Sequence, residues 1–369
     1  PFMSHPAAKR RRSKKGILFL LLILALLGIG IWWQFLKPDH DQSKSVLGNI
    51  TGHEQLDPLA NYKLYQEERP LMGSVFKIAL YTSEEGPART AIADAFARAE
   101  EINTICSDYD PESELSKLNS RLNEGLFEVS PTLATVLAHA RESADATSGL
   151  YDPTLGTLTK LWREARDNKV LPDEVALAAA RKASGWQHLK VNLADNTVRI
   201  DQPGLQLDLG GVAKGFAADQ MLAVIKRHGI TRAYIAAGGD IRLGDPPPGA
   251  NTWRVGLRTF GPDLPEFISV ANCAVSTSGD LHQFVVIDHE RYSHIINPAT
   301  GLGLRDRIAA TVVAPTATQT DPLATFACIS PTTARDAFMG GDIAVRIVTI
   351  SNSTPQDLRS HHFPRVDSR

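Results

Sequence analysis

The sequence predicts an α+β fold, and three observations support this prediction. Residues 87–105 have apolar side chains at a helical period, whereas residues 74–82 alternate as a strand does. Helix-like and strand-like segments follow one another without the regular alternation of a parallel sheet. The composition, 43% hydrophobic and 22% charged residues, is that of a folded globular protein and not of a disordered or fibrous one.

Further elements are predicted in order along the chain. Ser130 and Pro131 suit the N-cap and the first position of a helix, and Gly149 suits its end. The helical period over 212–228 predicts a second long helix. Strands or strand pairs are predicted at 191–200, 205–208, 233–236, 253–257, 284–288 and 309–313, with helices near 321–329 and 332–338. The last ~15 residues are polar and are expected to fray.

The N-terminal part predicts a membrane anchor. Residues 1–15 carry six Lys or Arg side chains and no acid, and residues 16–33 have no charge. Extended to residue 36, the apolar run is just long enough for a transmembrane helix, which takes roughly 20 residues. Two tryptophans and a phenylalanine at its end are typical of a membrane interface and make a poor cleavage site. The positive-inside rule then predicts a single-pass bacterial inner-membrane protein with its folded part on the periplasmic side.

The chain is thereby divided into segments of different character. They are a cytoplasmic basic segment (1–15), a transmembrane anchor (16–36), a linker (37–61), a folded domain (62–350) and a polar tail (351–369). The net charge is −2 in spite of the basic start, so the folded part is acidic, which argues against nucleic acid as a partner. Three cysteines without a Cys-x-x-Cys pair exclude a thiolate zinc site and a disulfide scaffold, and leave one bridge open.

Residues 208–219 (DLGGVAKGFAAD) form the segment richest in candidate binding residues. A predicted strand ends at Asp208, two glycines make a turn, and a helix begins, so backbone N–H groups can approach a phosphate closely. Lys214 adds a positive charge in the first turn of that helix. The segment is neither a Walker A loop nor G-x-G-x-x-G, and a tight turn with solvated side chains is the structural alternative. The small residues of 236–240 permit a second close approach.

Two further positions are candidates for chemistry. His294 could take a proton from an attacking hydroxyl, because the pKa of an imidazole lies near neutrality, although a lone histidine is more often structural. Asp321 and Thr325 share a face of a predicted helix and offer hard oxygen ligands suited to Mg²⁺. The alternative for Asp321 is a carboxylate that merely begins the helix favourably.

The order of these segments resembles the ApbE-type family, the FAD:protein FMN transferases. Loop residues Met72, Tyr109 and Tyr151, which could pad or stack on a planar ring, belong to the resemblance. The matching pieces are LMGS (71–74), YDPESELS (109–116), GLYDPT (149–154), DLGGVAKG (208–215), AGGD (237–240), TSG (277–279), SHIINPATG (293–301) and DPLAT (321–325). Together they cover most of the folded part, and several motifs in one order are more specific than any single one.

The resemblance implies an α+β fold of a T-shaped type, with mixed sheets and packed helices, an FAD site between its lobes, and residues 62–350 as the catalytic domain. Carried over by position, the residues in contact with FAD are Met72, Tyr109, Leu150, Tyr151, Asp152, Asp208, Lys214 and Ile295. The implied metal ligands are Asp321, the Thr325 hydroxyl and the backbone carbonyl of Gly211. His294 is the implied base, and Lys214 the implied charge partner of the pyrophosphate.

The reaction that the resemblance implies is protein flavinylation. An extracytoplasmic, Mg²⁺-dependent enzyme transfers FMN from FAD to a Ser or Thr hydroxyl of a partner flavoprotein and releases AMP. Implied partners are subunits of sodium-pumping or Rnf-type redox complexes that carry an Asp-x-x-(Ser/Thr)-Gly-Ala-(Ser/Thr) motif. Two alternatives stay open at this point: a Mg²⁺-dependent FAD pyrophosphatase that yields FMN and AMP, and a non-catalytic periplasmic FAD-binding protein.

Some positions depart from the family pattern. Asn297 stands where the family usually has an acid. The change matters little if that acid only caps a turn, and it lowers activity if the acid orients His294 or a metal-bound water. Ala299 replaces a frequent basic residue, and Gly211 replaces a more usual Ala or Ser. The predicted membrane anchor takes the place of the lipid attachment found in many relatives.

Overall fold

An eight-stranded antiparallel sheet lies at the centre of the fold. The computed structural model describes residues 59, 61–121, 125–257, 260, 266–281, 283–351 and 354–368. The predicted basic segment and anchor, and nearly all of the predicted linker, lie outside these residues. In the part of the chain that is described, no helix is both long enough and apolar enough to cross a membrane.

The strands, in chain order, are β1 (Lys63–Leu71), β2 (Ser74–Thr82), β3 (Gly125–Glu128), β4 (Leu189–Asn192), β5 (Thr197–Ile200), β6 (Ala233–Ala237), β7 (Asp240–Leu243), β8 (Trp253–Leu257), β9 (Glu266–Val270), β10 (Ala274–Gly279), β11 (Phe284–Ile287), β12 (Glu290–Ser293), β13 (Arg307–Ala314), β14 (Ala344–Ser351), β15 (Thr354–Arg359) and β16 (Val366–Ser368). The large sheet has the order β1-β2-β6-β7-β10-β13-β14-β15. Smaller sheets are β3-β5-β4, β16-β9-β8 and the hairpin β11-β12.

The helices are α1 (Glu85–Cys106), α2 (Glu114–Asn119), α3 (Pro131–Ala146), α4 (Gly156–Asn168), α5 (Glu174–Ala183), α6 (Ala213–Arg227), α7 (Ala317–Ile329) and α8 (Pro331–Ala337). Ser130 caps α3 as predicted, since its hydroxyl accepts a hydrogen bond from the Leu133 N–H at 3.2 Å. Helix α6 lies between Val212 and His228, so the predicted helix over 212–228 is confirmed.

Strand β6 shows why the large sheet is central. All five of its residues are buried. Ala233, Ile235 and Ala237 belong to the core formed with α1, α3 and α6, whereas Tyr234 and Ala236 belong to a core shared with the small β8–β9 sheet. Packing on both faces of an antiparallel sheet, with helices on one side, confirms the predicted α+β class.

The predicted strand at 205–208 is wrong. The segment makes a single bridge, between Leu155 and Gln206. Its backbone is satisfied in other ways: the Leu207 N–H donates to the Asn119 side chain at 2.8 Å, and the Asp208 N–H donates to the Pro153 carbonyl at 2.8 Å. A buried asparagine therefore replaces a neighbouring strand.

Helix α7 begins at Ala317, four residues before the predicted start near 321. Its first N–H groups are capped from another helix, because the Asp219 carboxylate accepts hydrogen bonds from the N–H groups of Ala317 (3.1 Å) and Thr318 (2.8 Å). Asp321 consequently lies inside the helix, and the alternative that it merely begins the helix is wrong.

The polar C-terminal part does not fray over the described residues. Thr354–Arg359 forms β15 and pairs with β14, and Val366–Ser368 pairs with β9. The pairing is held by charge, since buried Arg346 donates to Asp357 at 2.8 Å and to Glu266 at 2.8 Å. The expectation of a frayed end is wrong for this part.

The three cysteines are free thiols, so the bridge that the sequence left open is not formed. Cys106 and Cys328 are buried, and Cys273 is half-buried. Burial raises the pKa of each thiol. Thiolate is therefore rare at neutral pH, and all three act as small apolar side chains.

Candidate active site

Helices α6 and α7 form one wall of the candidate site, and they touch through their backbones. A Cβ atom at Gly215 would lie 2.1 Å from the carbonyl oxygen of Ala317, so only glycine permits this approach. Asp219, one turn further along α6, caps α7 from the same side. The contact places Lys214 opposite Asp321, with 3.5 Å between Nζ and Oδ2.

Lys214 also holds the turn that precedes its helix. Its ammonium donates to the Gly210 carbonyl at 2.7 Å, and the Gly210 N–H donates to the Asp208 carboxylate at 2.8 Å. Burial alone would lower the pKa of Lys214, but Asp321 and Asp240 reverse this effect and raise it. The side chain therefore keeps its positive charge at any physiological pH.

Asp240 is a buried carboxylate at the start of β7. Its Oδ2 has no hydrogen-bond partner among the described residues. Burial and the charge of Asp321 raise the pKa of Asp240 to about 7, against the opposing attraction of Lys214. One lysine thus faces two carboxylates, and the negative charge is not fully balanced by the protein.

Tyr151 brings a further unpaired oxygen to this place. The ring packs on the turn, because a Cβ at Gly211 would lie 3.0 Å from its Cε2 atom, which accounts for glycine in place of a larger residue. Its hydroxyl is buried and has no hydrogen-bond partner among the described residues. Burial, with the nearby charges of Asp321 and Asp208, raises the pKa of Tyr151 well above its ordinary value, so the phenol stays neutral.

These residues fit a divalent cation held by oxygen atoms. Asp321 and Thr325 lie one turn apart on α7, and the Thr325 hydroxyl is 3.4 Å from that of Ser278. Within the described ranges, no group of three or more His, Cys, Asp or Glu side chains could hold a metal. An ion here would need hydroxyl and carbonyl oxygens as well, a hard donor set that suits Mg²⁺, which keeps several waters.

His294 follows β12 and is exposed to solvent. Its Nδ1 lies 3.1 Å from the carbonyl oxygen of Gln283, which can only accept. Nδ1 therefore carries the proton, and Nε2 presents a free lone pair. Although the residue is exposed, protein atoms packed around the ring remove part of its hydration. This desolvation lowers the pKa of His294 in spite of the hydrogen bond, so the imidazole is neutral at pH 7.

Tyr109 offers a flat surface for a planar ring. Its side chain is 76% exposed, and its other face rests on the Arg163 guanidinium, 4.1 Å from the ring centroid. Arg163 in turn pairs with Asp108 at 2.5 Å and lies 3.8 Å from Asp208. The arginine fixes the orientation of the tyrosine and links it to the turn before α6.

The other predicted FAD contacts are distributed around the same region, and their roles stay predictions. Met72 occupies the β1–β2 turn with a φ of 50° and packs partly on the core. Leu150 is half-buried and Ile295 is buried in the core beneath α7. The Asp152 carboxylate is engaged within its own loop, where it accepts hydrogen bonds from the Thr154 N–H and hydroxyl and from the Trp186 N–H.

Asn297, which departs from the family pattern, caps a turn. Its side-chain oxygen accepts a hydrogen bond from the Ala299 N–H at 2.9 Å, and its carbonyl accepts one from the Gly301 N–H at 2.8 Å. Among the described residues it makes no hydrogen bond with His294. This arrangement favours the alternative in which the loss of the acid matters little, because an amide oxygen caps a turn as a carboxylate does.

Comparison with known proteins shows the family. The model of the ApbE family matches residues 72–346, which is most of the chain. The chain belongs to the ApbE family. It is 30% identical to a Treponema pallidum protein named FAD:protein FMN transferase, over 72% of this chain and 78% of that protein. It is 33% identical to the Vibrio cholerae protein of the same name, over 66% and 74% respectively.

Solved structures agree with the family and with the fold. The flavin transferase ApbE from Vibrio cholerae matches with a TM-score of 0.74 and 29% identity, over 82% of this chain and 98% of that one. The ApbE protein of Thermotoga maritima matches with a TM-score of 0.73 and 27% identity, over 81% and 97%. The resemblance seen in the motifs is thereby confirmed, and so is an ApbE-like α+β fold.

Sequence reasoning missed several residues of this ApbE-family site. Asp240 ends the small-residue segment that was selected, but its own carboxylate was given no role. Its signal in the sequence is an acid that follows the buried strand β6 after two glycines. Asp219 stands one helical turn from Gly215 in the richest segment, and Arg163 has no signal in sequence, because its pairing with Asp108 and Tyr109 depends on how α4 is placed.

Proposed function

We propose that this ApbE-family chain transfers FMN from FAD to a Ser or Thr hydroxyl of a partner flavoprotein and releases AMP, with Mg²⁺ bound at Asp321 and Thr325. The family and the names of the relatives support the coarser statement, that the chain is an enzyme of the FAD:protein FMN transferase type.

The observation that carries the finer proposal is the incompletely balanced charge around Lys214. Lys214 lies 3.5 Å from Asp321, while the buried Asp240 Oδ2 and Tyr151 hydroxyl have no hydrogen-bond partner in the part of the chain that the structure describes. Buried polar groups are normally hydrogen-bonded, so their pairing with a ligand is the simplest explanation. A cation between carboxylates and a pyrophosphate satisfies both the protein and the substrate.

Lys214, the turn at Gly210 and His294 have separate roles in the proposed transfer. Lys214 and the turn at Gly210 bind phosphate oxygens and keep their charge in place. Neutral His294 accepts the proton of the incoming hydroxyl at Nε2, as that oxygen bonds to the phosphorus on the FMN side. The bond from that phosphorus to the bridging oxygen breaks, and AMP leaves with the bridging oxygen. When bound, the metal supplies polarisation of the pyrophosphate oxygens.

The partner and the location follow the family resemblance and the N-terminal sequence. We propose acceptors that carry the Asp-x-x-(Ser/Thr)-Gly-Ala-(Ser/Thr) motif, such as subunits of sodium-pumping or Rnf-type redox complexes. We also propose a catalytic domain on the periplasmic side, because a basic segment precedes an apolar run of transmembrane length.

The test uses the full chain in detergent, FAD, and a carrier protein with a flexible tag bearing this motif. Flavin fluorescence on the carrier in a denaturing gel measures transfer, and released AMP measures cleavage. We expect labelling with Mg²⁺, none with a chelator, and none when the target Thr of the tag is replaced by Val. AMP release without labelling would instead identify an FAD pyrophosphatase, and FAD binding without either product would identify a binding protein.

A further inference from the structure

Helix α4 contacts two parts of the candidate site. Its Trp162 packs on strand β12, which His294 follows, with the ring centroids of Trp162 and Tyr292 5.3 Å apart. The next residue of the helix, Arg163, lies under the ring of Tyr109 at 4.1 Å. The helix is therefore fixed both to the strand before the predicted base and to the loop that offers a surface for a planar ring.

A second arginine of α4, Arg166, acts on the predicted base. It lies one helical turn beyond Trp162, on the same face of the helix, and is half-buried. Of the charged groups that act on His294, Arg166 has the largest effect, ahead of Asp321 and Lys214, and its positive charge lowers the pKa of the imidazole. The guanidinium of Arg166 is therefore within electrostatic reach of the His294 ring.

The guanidinium of Arg166 has no counter-charge among the described residues. It makes no ion pair and no hydrogen bond with any of them, whereas Arg163 on the same helix pairs with Asp108 at 2.5 Å. The positions three residues away along α4 are Arg163 and Lys169, which bring like charge and no acid. Like charges at this spacing destabilise a helix. A cation near the base also opposes the imidazolium that forms when the base takes a proton.

A purely structural role explains only part of this placement. Arg166 stands in the last turn of α4, where a cation interacts favourably with the helix dipole. Lys169, the C-cap residue, brings the same charge to the same end of the helix, so the dipole does not require a second cation. An anion bound at Arg166 would offset both the repulsion along the helix and the repulsion toward the imidazolium.

We propose that Arg166 binds the phosphate group on the FMN side of FAD, with its guanidinium donating hydrogen bonds to the non-bridging oxygens of the phosphorus that the hydroxyl attacks. The inference rests on the proposed function. A guanidinium can hold two phosphate oxygens at once, and the charge on these oxygens is part of what the transition state must stabilise. Once the phosphate offsets the charge of Arg166, the arginine no longer opposes the protonation of His294. The histidine thus becomes a better base when FAD is bound.

Binding of three flavins to the full chain in detergent tests this proposal without turnover. FMN and riboflavin differ only in the phosphate group in question, and FAD adds the AMP half. In the Arg166→Met variant we expect the Kd for FAD and for FMN, measured by flavin fluorescence, to rise about 10-fold, and the Kd for riboflavin to stay within about 2-fold. Arg166→Lys keeps the charge without the planar fork and should lose less, about 3-fold. Equal changes for FMN and riboflavin, or a loss for FAD alone, would overturn the proposal.

Transfer kinetics separate FAD from the acceptor as the ligand of Arg166. With the tagged carrier, Arg166→Met should lower kcat/KM for FAD about 10²-fold and leave the KM for the carrier within about 2-fold. A rise confined to the KM for the carrier would assign Arg166 to an acidic group of the acceptor and overturn the proposal. Arg227→Met, an exposed arginine at the end of α6 opposite Lys214, is the matched control and should change none of these values.

The two experiments also separate this proposal from the proposed function. Weaker FMN binding by Arg166→Met, in an enzyme that transfers no flavin to the carrier, would leave the phosphate contact standing and remove the transferase. Transfer by the unaltered enzyme, with FMN binding unchanged in Arg166→Met, would do the reverse.

Discussion

Two clusters of buried charge in this protein differ in how completely their charges are paired. Arg346 donates hydrogen bonds of 2.8 to 3.0 Å to Glu266 and Asp357, and Arg359 pairs with Asp357 as well, so two cations face two carboxylates. Around Lys214, by contrast, two carboxylates face one ammonium, and the Asp240 Oδ2 and the Tyr151 hydroxyl find no hydrogen-bond partner among the described residues. The first cluster fastens the C-terminal strands. The second cluster contains buried polar atoms that a bound ligand could pair with.

The pKa values of one aspartate from each cluster are shifted in opposite directions. Burial would raise the pKa of Asp357, but hydrogen bonds from Arg359 and Arg346 lower it to about 2. The pKa of Asp240 is raised to about 7, because burial and Asp321 outweigh Lys214. The paired and partly exposed Asp357 is thus more acidic than in water, whereas the buried and under-paired Asp240 is less acidic.

The largest expected effect comes from removing a charge of the under-paired cluster. The Asp321→Asn variant should lose about 10³-fold or more of the transfer rate, because a metal ligand contributes several kcal/mol to the transition state. Its free energy of unfolding should stay the same or rise, since an unbalanced buried charge is removed. Rates measured against Mg²⁺ concentration, with unfolding by urea, check both statements. Asp167→Asn, an exposed change of the same chemistry on α4, is the control and should alter neither.

The paired cluster should respond in the opposite way. The Arg346→Met variant removes the hydrogen bonds that buried Arg346 donates to Glu266 and Asp357 and should lower the free energy of unfolding by about 3 kcal/mol. Activity at a temperature where the variant is folded should not change. Urea unfolding of this variant beside Arg359→Met measures the difference, and the more exposed Arg359 should contribute less than about 1 kcal/mol. A loss of transfer in folded Arg346→Met would remove the distinction between the clusters.

The next effect concerns the base. The His294→Ala variant should still bind FAD, while transfer falls about 10²-fold, the usual scale for a general base. The unaltered enzyme should lose activity only as the pH falls through a pKa below the ordinary histidine range, because the surroundings of the ring disfavour its charged form. A pH–rate profile of both proteins checks this. An acid limb that persists in the variant would assign the titration to another group.

The smallest effect is on the pH dependence of stability. The folded protein keeps the Asp240 proton up to about pH 7, whereas an unfolded aspartate loses it near 3.8. The folded state therefore binds more protons between these values, and the free energy of unfolding falls as the pH rises through this range. The Asp240→Asn variant removes this term and should be more stable at pH 8 by about 1 kcal/mol or more. Urea unfolding of both proteins at pH 5 and pH 8, without metal, tests this prediction. An equal difference in the free energy of unfolding between the two proteins at both pH values would contradict it.

Local patterns explain which parts of the fold could be predicted from the sequence. The strand over 74–82 and the helix over 212–228 have periods that are visible in their own residues. The start of α7 was placed too late, because Asp219 caps it from a distant part of the chain. The C-terminal strands were missed because their pairing depends on Arg346, and no local pattern of 351–369 shows that.

The site could be predicted in composition but not in arrangement. The sequence motifs identified Lys214, Asp321 and His294 as site residues. The structure brings Lys214 and Asp321 within 3.5 Å of each other. That the Asp240 Oδ2 and the Tyr151 hydroxyl have no hydrogen-bond partner within the described ranges could not be foreseen, because it depends on which strands and turns close over them. The tautomer of His294 likewise depends on the Gln283 carbonyl across the hairpin.

The contact between Gly215 and Ala317 has a mechanical consequence. Helices that touch through backbone atoms have no side chain between them that could change its rotamer, so close packing fixes their relative position. The backbone positions of Lys214 and Asp321 are therefore fixed relative to each other, and only the torsions of these two side chains can change the distance between Nζ and Oδ2. A larger residue at position 215 would push the two helices apart and lengthen the 3.5 Å contact between Lys214 and Asp321.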